Sequence, residues 1–246
     1  MTNENQKSTG TFITFEGGEG AGKTTHINFL SAALRQSGRE VLCLREPGCT
    51  RIGENLRTVV LDAKNTDMAD ETELLIYEAA RAQIVHEIIA PALGRGAVVL
   101  CDRFYDSTIA YQAYGRGLSR EFVRQANEFA CQGVRPNRTI LLETLASAEV
   151  GLERATHHGH ADRMEQAGID FHTHVNRAFA DIAAAEPQRV RVVISAERKS
   201  DTARAVFTAA ADVLGWNPAS LPFDDEFFAA IDAKSTEAKA TVEQVR

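Results

Sequence analysis

Five short apolar, largely β-branched runs recur along the chain: TFITF (11–15), EVLCL (40–44), AVVLC (97–101), RTILL (138–142) and RVVI (191–194). Longer segments with three- and four-residue apolar spacing separate them. Strands buried on both faces read as continuous apolar runs, and strands joined by helical crossovers pair in parallel. The pattern therefore predicts an α/β fold, a five-stranded parallel sheet flanked by helices in three layers. One interposed helix is expected to carry Leu74, Tyr77, Arg81, Ile84 and Ile88 on a single face and to end near Pro91.

The first run leads into GGEGAGKTT, and Gly17-Gly18-Glu19-Gly20-Ala21-Gly22-Lys23-Thr24 matches GxxxxGK[ST] between a predicted strand and a predicted helix. Glycines let the backbone wrap close to a polyphosphate, so that successive N–H groups and the helix N-terminus point at it. Lys23 then reaches the β- and γ-phosphates and the Thr24 hydroxyl ligates Mg²⁺. Residues Gly17 to Thr25 are the expected ATP-binding loop of a P-loop NTPase fold. A glycine-rich turn that fits by chance is the competing reading, and the flanking strand and helix count against it.

In an open parallel sheet, ligands collect beyond the carboxyl ends of the strands. Arg45-Glu46-Pro47-Gly48 follows the second run and Asp102-Arg103 the third. Asp102 is a candidate magnesium carboxylate alongside Thr24. Arg45 and Arg103 are candidates for a second phosphate site, which implies a phosphorylated acceptor. Transfer to a nucleoside monophosphate needs no strong base, because the second pKa of a phosphate monoester is about 6. It does need cations against the repulsion of two polyanions, and Lys23, Arg45, Arg103, Arg154 and Arg163 are the candidates.

A formal net charge of -7 argues against broad nucleic-acid binding. Cys43, Cys49, Cys101 and Cys131 show neither a CxxC pair nor zinc spacing, which suits reduced thiols. No leader pattern or membrane-length apolar run stands out, so a soluble, cytoplasmic protein without a membrane partner is expected. RATHHGHADRMEQ is polar and histidine-rich, suiting a mobile flap or lid over about residues 154–166 rather than a zinc site. Residues 1–10 are expected to be a disordered extension, 11–215 the nucleotide-binding domain, and 216–246 an appendage that packs on the surface or frays.

The GGEGAGKTT loop, REPGCTRIGENLR (45–57), ELLIYEAARAQ (73–83), CDRFYDSTIAYQAYGRG (101–117) and ADRMEQAGIDFHTHV (161–175) together resemble the thymidylate kinase family over roughly residues 11–214. The resemblance implies phosphoryl transfer from MgATP to dTMP, giving dTDP and ADP for dTTP synthesis, by a homodimer. It implies that Tyr77 stacks on thymine, that Arg81 contacts the base edge, that Thr108 and Gln112 read the pyrimidine, and that Tyr111 crowds the sugar. Arg45, Glu46, Arg57 and Arg103 complete the implied acceptor site. Glu19 is expected to bind the 3′-hydroxyl or orient Arg103, and Glu46 to fix the rotamer of Arg45 or act through a metal-bound water. Lys23, Glu19, Arg103 and Arg154 are the implied catalytic set.

Several positions depart from the family pattern. Cys49 and Ala113 replace glycines, Asn137, Glu143 and Ser195 stand where aspartates are usual, and Thr156 and His158 replace flap arginines. A positive φ at Cys49 would add strain of order 1 kcal/mol. Two alternatives stay open on sequence: another P-loop nucleotide or nucleoside kinase, and a homologue that binds nucleotides with impaired catalysis.

Overall fold

The computed structural model describes residues 10–144 and 162–232. Its sheet is five-stranded and wholly parallel, in the order β2-β3-β1-β4-β5. The strands are β1 (Thr11–Glu16), β2 (Val41–Arg45), β3 (Val98–Asp102), β4 (Arg138–Glu143) and β5 (Val190–Ile194), each within two residues of a predicted run. The helices are α1 (Lys23–Gln36), α2 (Arg51–Leu61), α3 (Asp70–Ile84), α4 (Ala90–Gly94), α5 (Tyr105–Thr108), α6 (Arg120–Cys131), α7 (Ile169–Ala185) and α8 (Lys199–Leu214).

Alternate residues of β1 feed opposite cores, as a pleated strand between two helical layers must. Ile13 and Phe15 join Leu30 and Leu34 of α1 and Val206 and Phe207 of α8 on one face. Phe12 joins Ile84, Ile89 and Phe104 on the other. A third cluster, with Leu141, Tyr111, Phe171 and Phe179, packs α7 beneath the end of the sheet where β4 and β5 lie.

The expected face of α3 is corrected at its end. A π-helical turn over Val85–Ile89 follows Ile84 and adds a residue to the helical repeat. Ile89, not Ile88, therefore takes the fully buried place beside Ile84. A second π turn, Ile109–Gly115, continues α5 and carries Tyr111 and Gln112.

The C-terminal segment packs firmly as far as it is described, to residue 232. Trp216 stacks on Phe207 at 5.7 Å, and Phe223, Phe227 and Phe228 close round the same ring. Phe228 is 1% exposed and Ile231 5%, so these residues complete the α1/α8 core. The extension at 1–9, the flap residues Arg154, Thr156, His157, His158 and His160, and the tail from 233 lie outside the described residues.

Candidate active site

Strand register brings the site together. Phe15 and Arg45 both pair with Asp102, so the carboxyl ends of β1, β2 and β3 stand level. Gly17 turns the chain away at φ 131°, and a Cβ there would lie 2.2 Å from the Leu142 carbonyl oxygen, so only glycine fits. Lys23 Nζ reaches back to the carbonyls of Gly17 and Gly18 at 3.1 and 3.0 Å. Desolvation, and then the Arg103 charge, pull its pKa down from the usual lysine value. The Thr24 hydroxyl donates to Asp102 Oδ2 at 3.0 Å, placing two hard oxygen donors side by side. That pair fits Mg²⁺, which takes one or two protein oxygens and completes its shell with phosphates and water.

Arg103, just beyond β3, has φ 68°. A non-glycine residue pays roughly 1–2 kcal/mol for that conformation. The surroundings hold it: its N–H donates to Phe15 O at 2.9 Å, and the next N–H, of Phe104, donates to Glu16 Oε1 at 2.8 Å. Ser107 Oγ donates to Glu16 Oε2 at 2.6 Å and accepts from Arg103 Nη1 at 3.2 Å. Burial, reinforced by Asp106, pushes the Glu16 carboxyl up to about 8. The result is a guanidinium aimed along the rim, where Nη2 meets Glu19 Oε1 at 2.5 Å. Tyr111 donates to the same oxygen at 3.0 Å and lies under the guanidinium at 5.1 Å. Burial alone would raise the Glu19 carboxyl, but Arg103 and Lys23 outweigh it and hold it at about 2.

Across the rim, Arg45 and Arg57 both donate to the Pro47 carbonyl, at 2.9 and 3.0 Å, and share the neighbourhood of one carboxylate, Glu54. Burial and then Arg45 lower the pKa of Arg57. Two cations against one anion make this an attractive place for a second phosphate. Cys49 does take φ 62° here, with its N–H donating to Glu54 Oε1 at 2.6 Å and its Sγ accepting from Arg45 N at 3.2 Å.

Phosphate loop, Asp102–Arg103 and Arg45–Arg57 share one cavity of about 570 Å³. Glu46, Tyr77, Arg81, Thr108, Tyr111 and Gln112 line it too, while Gly17 and Gly18 lie behind and receive the Lys23 ammonium. The family model "Thymidylate kinase" matches residues 15–206. The thymidylate kinase of Geobacter sulfurreducens is 46% identical over 211 residues, covering 83% of this chain and 96% of its own. That of Deinococcus radiodurans is 46% identical over 208 residues, covering 85% and 99%. The crystal structure of the Ehrlichia chaffeensis thymidylate kinase aligns with TM-score 0.66 at 31% identity, covering 83% of this chain and 98% of that one. The chain belongs to the thymidylate kinase family.

For a thymidylate kinase, two sequence expectations need correction. Glu46 does not hold Arg45, which is taken by Glu54. It holds Arg81, at 2.9 Å to Nε and 2.8 Å to Nη2, while Glu78 and Asn127 each accept from Arg81 Nη1 at 2.7 Å. One buried guanidinium thus serves two carboxylates. Desolvation, only partly offset by Arg81, pushes Glu46 up to about 7 and raises Glu78 as well. Nor does Arg163 lie over the phosphate loop: it pairs with Glu73 and donates to the Val60 carbonyl at 3.1 Å.

Other residues that support the thymidylate kinase site have no role assigned from sequence, although Glu73, Glu78 and Ser107 lie within the family-like stretches 73–83 and 101–117. Glu16, Glu73, Glu78, Ser107 and Asn127 read in sequence as an ordinary strand end and helix faces. Only the fold shows Ser107 meeting Arg103, Glu73 meeting Gln112, Glu78 and Asn127 meeting Arg81, and Glu16 accepting from Ser107 and from the Phe104 N–H beside Arg103. Asn137, where the family pattern has aspartate, has a structural use, accepting from Phe12 N at 2.7 Å.

Proposed function

We propose that this protein transfers the γ-phosphoryl group of MgATP to dTMP, giving dTDP and ADP, a step in dTTP synthesis. The observation that carries this reading is the single rim on which the phosphate loop and the Arg45–Arg57 pair face one cavity, with Arg103 just beyond β3, the strand between β1 and β2. The donor triphosphate lies along the loop residues Gly17 to Thr25, with Lys23 on its β- and γ-oxygens. Thr24 and Asp102 would hold Mg²⁺, which supplies charge neutralisation between the phosphates when bound.

The acceptor phosphate sits at Arg45 and Arg57, with Arg103 reaching the oxygens in flight. Its monoanionic or dianionic oxygen is already a nucleophile near neutral pH, so no side chain need remove a proton. Glu19 serves as the fixed anchor for Arg103 and, with Tyr111, borders the sugar. Tyr77 stacks on the base while Arg81, Thr108 and Gln112 face its polar edge. Three of the five Arg81 N–H donors bond Glu46, Glu78 and Asn127, and Nη2, in ion-pair contact with Glu46, is the nitrogen left to face the base. Arg154 contributes a further cation from the flap.

The reading extends to a cytoplasmic homodimer. Val59 of α2, Leu75 of α3, and Phe122 and Phe129 of α6 are exposed, Phe129 at 85%, on helices that pack side by side. Among the described residues, no helix is long and apolar enough to cross a membrane.

Lys23→Ala tests the assignment. Removing the ammonium should cut ADP formation with dTMP by at least about 100-fold, while calorimetry still detects dTMP binding. Turnover near the unsubstituted rate would refute the role given to Lys23.

A further inference from the structure

Glu73 lies in the first turn of α3, where an acidic residue ordinarily faces water and the helix dipole. Here it is fully buried, at 0% exposure. Three side chains from distant parts of the chain converge on it. Gln112 Nε2 donates to Oε1 at 2.7 Å, Arg116 Nε and Nη2 donate at 3.2 and 2.9 Å, and Arg163 Nη2 donates to Oε2. Arg116 also lies 3.5 Å from Asp70.

The chemistry of this contact fixes the sense of an amide. A carboxylate between two guanidiniums accepts hydrogen bonds and has none to give, so the Gln112 side chain must present its NH₂ arm to it. The carbonyl arm, Oε1, is then the one Glu73 does not occupy, on a residue that lines the cavity. We propose that Glu73 is a positioning residue for base discrimination: by claiming Gln112 Nε2, it leaves Oε1 as the acceptor offered to the acceptor base. An acceptor there suits a base carrying a ring N–H, as thymine and uracil do at N3. It leaves two acceptors opposed when the ring nitrogen is bare, as in cytosine, and an unpaired buried polar group is strongly rejected. Arg116 and Arg163 hold the carboxylate in place and touch no substrate in this scheme. The proposal rests on the reading of the cleft as a deoxynucleotide site.

The test compares kcat/KM for dTMP and dCMP, with MgATP and the full chain, in the unsubstituted protein and in Glu73→Gln and Glu73→Asp. Glutamine can donate as well as accept, so it frees Gln112 to turn over. Aspartate keeps the charge for both arginines but retracts from the amide. Both changes should lower the preference for dTMP over dCMP by about tenfold or more, mainly through KM for dTMP, with kcat within about threefold. Equal losses on both substrates would mean a purely structural carboxylate and would overturn the proposal. If an unsubstituted protein failed to phosphorylate dTMP, the functional reading beneath would fall, and this inference with it.

Should either variant fold poorly by circular dichroism, the unsubstituted protein still decides the matter. In protein labelled with nitrogen-15 glutamine, with the signal assigned by its loss in Gln112→Leu, one of the two Gln112 Nε2 protons should lie well downfield of the ordinary glutamine range and exchange slowly with solvent. Two Nε2 protons at ordinary glutamine shifts that exchange freely with solvent would contradict the proposal.

Discussion

Cys49 and Arg103 adopt the same left-handed backbone, at φ 62° and 68°, for opposite reasons. Arg103 is held there by Glu16 and the Phe15 carbonyl, and the conformation aims its guanidinium at Glu19. The Cys49 side chain gains only a weak contact from Arg45 N to its sulfur, while its backbone N–H donates to Glu54 Oε1 as a glycine's would. Cys49→Gly is therefore expected to raise the unfolding free energy by about 1 kcal/mol, measured by urea denaturation, with dTMP turnover retained. Glu46 carries a second residue-level prediction. Its folded pKa, about 7, lies above the ordinary 4.5. Between those values the unfolded chain releases this proton while the folded one keeps it, so stability falls as pH rises through that window. Glu46→Gln should remove that part of the slope in unfolding curves taken at pH 4.5 to 7.5. The loop residues were legible in sequence because GxxxxGK[ST] states its own backbone requirement. Glu73 was not, since Gln112 and Arg163 lie 39 and 90 positions away and only topology brings them to it.

At the scale of elements, the inner strands β1, β3 and β4 were readable because a strand buried on both faces must be apolar without interruption, while the edge strands β2 and β5, partly exposed, still carry short apolar, largely β-branched runs. The π turns were not. Adding one residue to a helical repeat changes no composition, only which side chain comes round to the core. The consequence is measurable at two adjacent isoleucines. Ile89→Ala should cost about 2–5 kcal/mol, as expected for a fully buried isoleucine, and Ile88→Ala distinctly less. The π turn after α5 has a functional counterpart: it sets the facing of Tyr111 toward Glu19 and of Gln112 toward Glu73.

For the whole molecule, the C-terminal segment is part of the fold that carries the phosphate loop. Phe207, Trp216, Phe223, Phe227 and Phe228 form one aromatic cluster against α1, the helix that begins with Lys23. Phe228→Ala should cost about 3–5 kcal/mol, read as a lowered denaturation midpoint. An acidic and aromatic tail gives no periodicity from which that docking could be read, because its partner face on α1 and α8 exists only once the sheet has formed.

The phosphate loop and the Arg45–Arg57 pair, proposed to hold the donor and acceptor phosphates, line one cavity, so in this account ATP and a deoxynucleoside monophosphate react across it. Initial rates of ADP formation, with dTMP, dUMP, dCMP or no acceptor and with magnesium present or chelated, interrogate that arrangement. The expected result is ADP release that requires both dTMP and magnesium and is weakest with dCMP. ADP release at the same rate without any monophosphate would contradict it.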